Sequence, residues 1–270
     1  MKNSADIYYP IDETEKHFIG NIWRLQEWNM QERTEIILPK GTVEIIFSLA
    51  DNITYFNPAL NYKQTLPSCF INGINFKPFN LIKNGQQLFI GIQLNTIGLK
   101  GLFNINVKDF HNVVIEGSQV CIELNALCHQ LLSCKNFDGQ VTAIRKWLWQ
   151  KISKSKHNQV IHKVHNLFYS SRENDLTVKS LCKENCVSDR QLRRISAEWL
   201  GMNTENFLIY NKYLASLHLL HNSKLSLTQI GLEAGYYDQS HFIREFKSFT
   251  DLTPKEYQAS NTILPGHIIR

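Results

Sequence analysis

Two stretches of this chain share one plan. Residues 176–196 read LTVKSLCKENCVSDRQLRRIS, and residues 227–247 read LTQIGLEAGYYDQSHFIREFK. Each opens on Leu-Thr, runs into a short helical segment holding Leu181 or Ile230, turns tightly, and restarts at Ser188 or Asp238. Ser and Asp at that point are helix caps, and the second segments carry Leu192 and Phe242 at matching inward positions. One helix-turn-helix is a weak signal, because any helical pair imitates it. Two copies joined by one amphipathic segment, TENFLIYNKYLASLHLLHNS with Phe207, Tyr210, Leu214 and Leu217 on one stripe, are far more specific. The Gly235 turn and the apolar face of Phe242, Phe246 and Phe249 complete the second unit. Thr253 and Pro254 then open a last helix as cap and first helical residue.

The first half has a different period. TEIILP at 34–39, TVEIIFSL at 42–49, NITYF at 52–56, SCFINGI at 68–74 and QLFIGIQL at 87–94 are short β-branched and aromatic runs broken by Pro, Gly, Asn and Asp. They predict a small antiparallel sheet or barrel. Helical period follows at 97–105, from 117 to 133, and from 139 to 156, where Ile144, Trp147, Leu148 and Ile152 share a stripe. Strand signals vanish after about 157; the segment HNQVIHKVHNLFYSS (157–171) reads as the next helix, followed by one capped by Thr177. The expected fold class is α+β. A sheet-based sensory or oligomerisation domain spans 1–145, a basic linker 146–160, and an all-α domain of two helix-turn-helix units on a linker helix 161–270.

Composition narrows the function. The chain of 270 residues has 43% hydrophobic and 20% charged residues, ordinary for a globular protein. Its first residues, MKNSADIYYPIDETEK, lack an apolar core and are not a secretory signal. The longest apolar runs, such as that from Val43 to Ala50, are too short for a bilayer, so a cytoplasmic location without membrane contact is expected. The six cysteines include no C-x-x-C pair, and the histidines at 157, 162, 165, 218 and 221 have no Asp, Glu or Cys to complete a zinc pattern. Neither a metal nor another cofactor is implied. The net charge of +5 is compatible with nucleic acid without requiring it. Arg145, Lys146, Lys151, Lys154, Lys156 and Lys163 crowd one stretch and read either as a solvated helix face or as a phosphate-contacting arm.

Residues 158–260 resemble the AraC/XylS family of bacterial transcriptional regulators. The likeness is carried by Ile230, Ala234-Gly235-Tyr236, Asp238-Gln239-Ser240, Phe242, Arg244, Phe246-Lys247 and the closing Thr253-Pro254-Lys255-Glu256-Tyr257. A LPKG turn before the VEIIF strand, and FIGIQL followed by GLKGLFNI, extend the resemblance into the first half. It implies two helix-turn-helices whose second helices enter successive major grooves, ~34 Å apart on one face of the duplex. The linker from Thr204 to about Leu220, ~25 Å long at 1.5 Å per residue, suits that span once the flanking units are added. The chain departs from the family at Cys186, where a turn Gly is usual, at Ser196 in place of an aromatic, at Thr204 in place of Pro, and at Asp251 in place of Gly.

Under that resemblance the DNA-reading residues are Arg190, Arg193 and Arg194 on the first reader and Gln239, Ser240, Ile243 and Arg244 on the second, with Lys247 beside the backbone. The chemistry agrees. Arg takes guanine O6 and N7, Gln takes adenine N6 and N7, Ser both donates and accepts, and Ile meets a thymine methyl. The plain alternatives are a solvated arginine face paired with Glu184 or Glu198, and first-turn capping by Gln239 and Ser240. The reading is a sequence-specific transcriptional regulator of operator or promoter DNA and not an enzyme. RNA polymerase, a small-molecule effector, and a second copy docked through the 118–154 helices with Trp147 and Trp149 are the further partners to consider. The competing reading, a ligand-binding protein or enzyme of the sheet domain with accessory helices, has only His111 and Cys121 as isolated candidates. No nucleophile–base pair or Gly-rich phosphate loop supports it.

Overall fold

The structure is a computed structural model describing residues 4–58, 60–169, 177–260, 262 and 264–269, without the side chains of Asn29 and Met30. Among the described residues nine strands form one antiparallel sheet. They are β1 (Ser4–Tyr8), β2 (Ile19–Ile37), β3 (Val43–Ser48), β4 (Ile53–Asn57), β5 (Tyr62–Thr65), β6 (Cys69–Asn72), β7 (Phe79–Leu94), β8 (Val114–Glu116) and β9 (His267–Ile269). The helices of the first half are α1 (Glu13–Lys16), α2 (Gly98–Phe103), α3 (Gly117–Val120), α4 (Glu123–Ser133) and α5 (Phe137–Lys154). The second half holds α6 (Ile161–Tyr169), α7 (Val178–Glu184), α8 (Asp189–Leu200), α9 (Thr204–Asn222), α10 (Leu227–Glu233), α11 (Gln239–Thr250) and α12 (Pro254–Ala259).

Two long strands organise the sheet. β2 and β7 pair along their lengths, with a register shift between Asn29 and Arg33. Beyond that shift each takes new neighbours. The first half of β2 pairs β1 and its last residues pair β9; the start of β7 pairs β4 and its end pairs β3. The sheet therefore folds on itself. Ile37, Ile53, Tyr55, Leu66, Phe70, Phe79 and Phe89 fill the concave side. The period of two sends Val43, Ile45, Phe47, Ile90 and Ile92 to the other face, into one core with Leu124, Leu127, Leu131, Ile144 and Leu148 of α4 and α5.

Several expectations need correction. β2 has 19 residues, far more than the expected 34–39, because its polar first half is satisfied by cross-strand pairs such as Arg24 with Asp6 (2.7 Å). The helix expected from 117 to 133 breaks at Cys121, whose backbone is extended. Arg145 and Lys151 of the basic stretch are ion-paired, with the fully buried Glu15 (2.9 Å) and with Glu123 (2.7 Å). Trp147 is in the core, while Trp149 donates to Glu15 (2.7 Å). The helix expected over 157–171 begins at Ile161; residues 170 and 171 lie outside the described residues. The last strand, β9, had no counterpart in the sequence reading.

A buried ionic cluster sits where β2 meets β7. The register places Arg33 opposite Lys83, two cations face to face. Glu35 lies 2.5 Å from Lys83, and Glu27 lies 2.9 Å from Arg33 and 3.4 Å from Lys83. His267 of β9 meets Glu35 at 2.5 Å and Lys40 at 3.3 Å. The set is consistent if a neutral imidazole donates from Nδ1 to the carboxylate and accepts from the ammonium at Nε2. Burial pushes the Glu35 carboxyl up, but the His267 hydrogen bond and the Lys83 charge outweigh it and hold the group well below the usual carboxylate range.

The two halves meet along α9. The Tyr210 hydroxyl accepts from Gly41 N–H (3.0 Å) and donates to the Asn75 carbonyl (2.7 Å), and the Tyr213 hydroxyl donates to the Pro39 carbonyl (2.9 Å). Gly41 is left-handed (φ 71°), a conformation that favours glycine, and a Cβ there would displace the Leu214 side chain of α9.

Two outcomes follow for stability. Glu35→Ala leaves Lys83 buried without its nearest carboxylate and is expected to lower unfolding free energy by roughly 3–5 kcal/mol, measured by urea denaturation of the full chain; a loss under about 1 kcal/mol would mean the cluster is solvated. Burial holds the imidazoles of His17, His111, His165 and His267 below their usual range. The unfolded chain therefore binds more protons below about pH 6.5, and the urea midpoint is expected to fall between pH 7.5 and pH 5.5. A midpoint that rises over this interval would contradict the neutral, half-buried state of these rings.

Candidate nucleic-acid interface

The two helix-turn-helix units are α7–α8 and α10–α11. Their helices begin at capping boxes: Thr177 with Ser180, Ser188 with Gln191, and Ser226 with Gln229. Asp238 caps α11 by accepting from His241 N–H (2.7 Å). The caps revise the internal match. Thr177 is equivalent to Ser226, not to Thr228, so the shared Leu-Thr pairs are out of structural register. The turn Asn185-Cys186-Val187-Ser188 is also one residue shorter than Ala234-Gly235-Tyr236-Tyr237-Asp238. Both turns use a left-handed residue, Gly235 (φ 81°) and Cys186 (φ 51°). Cys186 thus adopts the conformation that glycine serves in the second unit, at the steric cost of its Cβ.

Each second helix is anchored on one side and open on the other. On α8, Leu192, Ser196, Trp199 and Leu200 are buried. Ser196 is small but not idle: its hydroxyl donates to the Met202 carbonyl (2.9 Å), and the Trp199 ring packs on His157. On α11, Phe242 and Phe246 are fully buried, and Phe249 stacks on Tyr213 of α9 (4.7 Å between centroids). Asp251 closes α11 in the left-handed conformation (φ 60°).

The expected readers divide into free and occupied groups. Arg190, Arg193, Arg194, Ser240, Arg244 and Lys247 are exposed, while Gln239 and Ile243 are half-buried. Arg193 is held by Asp189 (3.0 Å) and Glu205 (2.5 Å), not by Glu184 or Glu198. Glu198 pairs instead with Lys100 of the sheet domain (3.3 Å). The Gln239 side-chain carbonyl accepts from the Thr228 hydroxyl (2.9 Å), which leaves its amide donors uncommitted in that bond. Arg190, Arg194, Arg244 and Lys247 make no ion pair or hydrogen bond among the described residues. Counted from the caps, Arg194 and Arg244 occupy the same helical position, and Arg190 corresponds to Ser240. The open faces therefore share one arginine and otherwise differ.

Two contacts escaped sequence reasoning. Lys77 donates to the Ser248 carbonyl (2.8 Å) and pairs with Asp251 (3.1 Å) at the end of α11, as Lys100 does near the end of α8. Both lysines lie in the sheet domain, far away in sequence, and no local pattern marks them. His111 and Cys121 are structural. The His111 ring packs on Phe76, and burial pushes the Cys121 thiol up, away from a reactive thiolate.

Residues 181–260 match the model of a helix-turn-helix domain, and residues 14–116 match that of a domain of unknown function (DUF6597). The chain is 31% identical over 88 residues to an uncharacterized HTH-type transcriptional regulator of Haemophilus influenzae, covering 33% of this chain and 30% of the relative. It is 29% identical over 90 residues to the HTH-type transcriptional regulator ArgR of Pseudomonas aeruginosa, covering 33% and 27%. It is 26% identical over 93 residues to the HTH-type transcriptional activator RhaR of Escherichia coli, covering 34% and 33%. These matches span about a third or less of the curated relatives' length. Among solved structures, ToxT of Vibrio cholerae aligns over 95% of this chain and 97% of its own at 13% identity, with a TM-score of 0.46. An AraC-type DNA-binding domain protein of Chromobacterium violaceum aligns over 36% of this chain and 88% of its own at 26% identity, with a TM-score of 0.33. The helix-turn-helix match thus falls on the stretch in which two capped helix-turn-helices hang on one linker helix.

Proposed function

We propose that the chain is a sequence-specific transcriptional regulator, not an enzyme, acting in the cytoplasm on two successive major-groove segments of operator DNA. No helix among the described residues is long and apolar enough to cross a membrane. The observation that carries the reading is the pair Arg194 and Arg244, equivalent in position, exposed and unpartnered among the described residues. An unpaired guanidinium on an anchored helix has its donors free for guanine or phosphate. Arg190 and Lys247 add positive charge on the same open faces. Ser240, Ile243 and the amide of Gln239 give the second reader a different chemistry, so the two half-sites differ in sequence and one monomer reads an asymmetric site.

The concave side of the sheet supports an effector site. A cavity of about 70 Å³ is walled by Leu25, Ile46, Phe70, Phe79 and Phe89, with Lys40, Glu44, Lys83 and His267 on its polar side. The charges there are already matched: Lys40 with Glu44, and Lys83 and Arg33 with Glu27 and Glu35. An ionic guest would upset that balance, so the site favours a compact, uncharged, largely apolar molecule.

Arg194→Ala and Arg244→Ala are each expected to cost about 1–3 kcal/mol of operator binding in a mobility-shift assay with the protein's own upstream DNA, with the thermal midpoint unchanged. Arg193→Ala is expected to cost less, because its guanidinium is committed to Asp189 and Glu205. Unchanged affinity in both of the first two variants would sink the assignment. Binding is also expected to weaken steeply with salt, with a log–log slope of about −0.9 per phosphate contact, and a flat response would point to a partner other than DNA.

A further inference from the structure

Residues 264–269 follow the second helix-turn-helix in sequence but belong to the sheet in space. Strand β9 runs antiparallel to the end of β2, pairing Ile269 with Glu35, Ile268 with Ile36 and His267 with Ile37. Leu38 N–H extends the ladder to the Gly266 carbonyl (2.8 Å), and the Ile268 side chain is buried. His267 reaches Glu35 and Lys40 and forms part of the cavity wall. At the other end of the tail, Gly266 N–H donates to the hydroxyl of the buried Tyr257 in α12 (3.1 Å). The Tyr257 ring packs on Phe246 of reader helix α11, 5.9 Å between centroids. Cavity, tail, α12 and α11 thus form one unbroken chain of contacts.

We propose that this tail is a latch coupling the sheet-domain cavity to the second DNA-reading unit. The inference rests on the regulator reading above and adds the element through which the cavity is felt. A strand held by three register pairs, two further backbone hydrogen bonds at Gly266, one buried side chain and one imidazole is a small cooperative unit, the kind that opens without global unfolding. Docked, it supplies a wall of the cavity and holds α12 through Tyr257. Undocked, it removes that wall and the Tyr257 bond together. A molecule in the cavity meets the docked state with His267 present and the undocked state without it, so its affinity differs between the two and its binding shifts their balance. By reciprocity, DNA held on α11 shifts the cavity. The docked tail fixes the pose of the second unit, and a fixed pose binds with less ordering cost, so release weakens operator binding.

The test uses the full chain in two variants. His267→Ala removes the polar anchor. The pair Ile36→Cys with Ile268→Cys places thiols on directly paired residues, so oxidation locks the strand and reduction frees it. Amide hydrogen exchange is the first readout and needs no DNA. His267→Ala is expected to speed exchange roughly tenfold in residues 35–38 and 254–260, leaving 45–47 of β3 unchanged as the folding control, while the oxidised pair suppresses exchange in both regions. Unchanged exchange at 254–260 in His267→Ala, or indifference to the lock, overturns the latch. Operator affinity is the second readout, expected about fivefold lower in His267→Ala than in the oxidised pair. Equal affinities alongside altered exchange overturn the coupling to DNA. If no form binds DNA, wild type included, the regulator reading fails, and the exchange result alone decides whether the tail joins the two domains.

Discussion

Two phenol hydroxyls carry the architecture. Tyr210 and Tyr213 are buried in the middle of α9, and a buried hydroxyl must find a partner or pay for its lost water. Both find theirs on the sheet domain, at Pro39, Gly41 and Asn75. Burial pushes both phenols up, so they remain neutral donors at any physiological pH. The same rings serve the other side of the helix: Phe249 and Phe246 of α11 pack on Tyr213, and Phe168 of α6 packs on Phe207. The linker helix is thus a shared wall, polar at the tips of its tyrosines toward the sheet and aromatic toward the reading units.

Part of the charge in this chain is committed to structure. Arg33, Lys83, Glu27 and Glu35 neutralise one another inside the sheet, and Arg145 satisfies the buried Glu15. Lys77 and Lys100 tie the ends of α11 and α8 to the sheet domain. The arginines on the open faces of α8 and α11 differ from these: Arg190, Arg194 and Arg244 are exposed and in no ion pair among the described residues.

What the sequence disclosed follows from the range of the interactions involved. Caps, turn residues and helical stripes are local, so Thr177, Ser188, Asp238, Gly235 and the phenylalanines of α11 were legible one by one. The exposed face of α8 was legible as a set, but the commitment of Arg193 to Glu205 was not, since Glu205 comes from the start of another helix. The long first half of β2 was missed because its polar residues are paid back only by partners across the sheet. Cys121 breaks a helix whose period continues through it. The first helices of the repeat are offset by two residues from the alignment of identical letters, because the caps Thr177 and Ser226, not the shared Leu-Thr pairs, set their structural register.

The pairing of Glu35 with Ile269 spans almost the whole chain. During synthesis the far edge of β2 emerges early and waits for a neighbour that is made only after both helix-turn-helix units have been translated. Contacts of such long sequence separation form late and slowly. Until then β2 presents an open hydrogen-bonding edge beside Ile36 and Ile37, the kind of edge that recruits strands from other chains. The solubility of the nascent sheet domain is therefore tied to the completion of the segment that follows the two helix-turn-helix units.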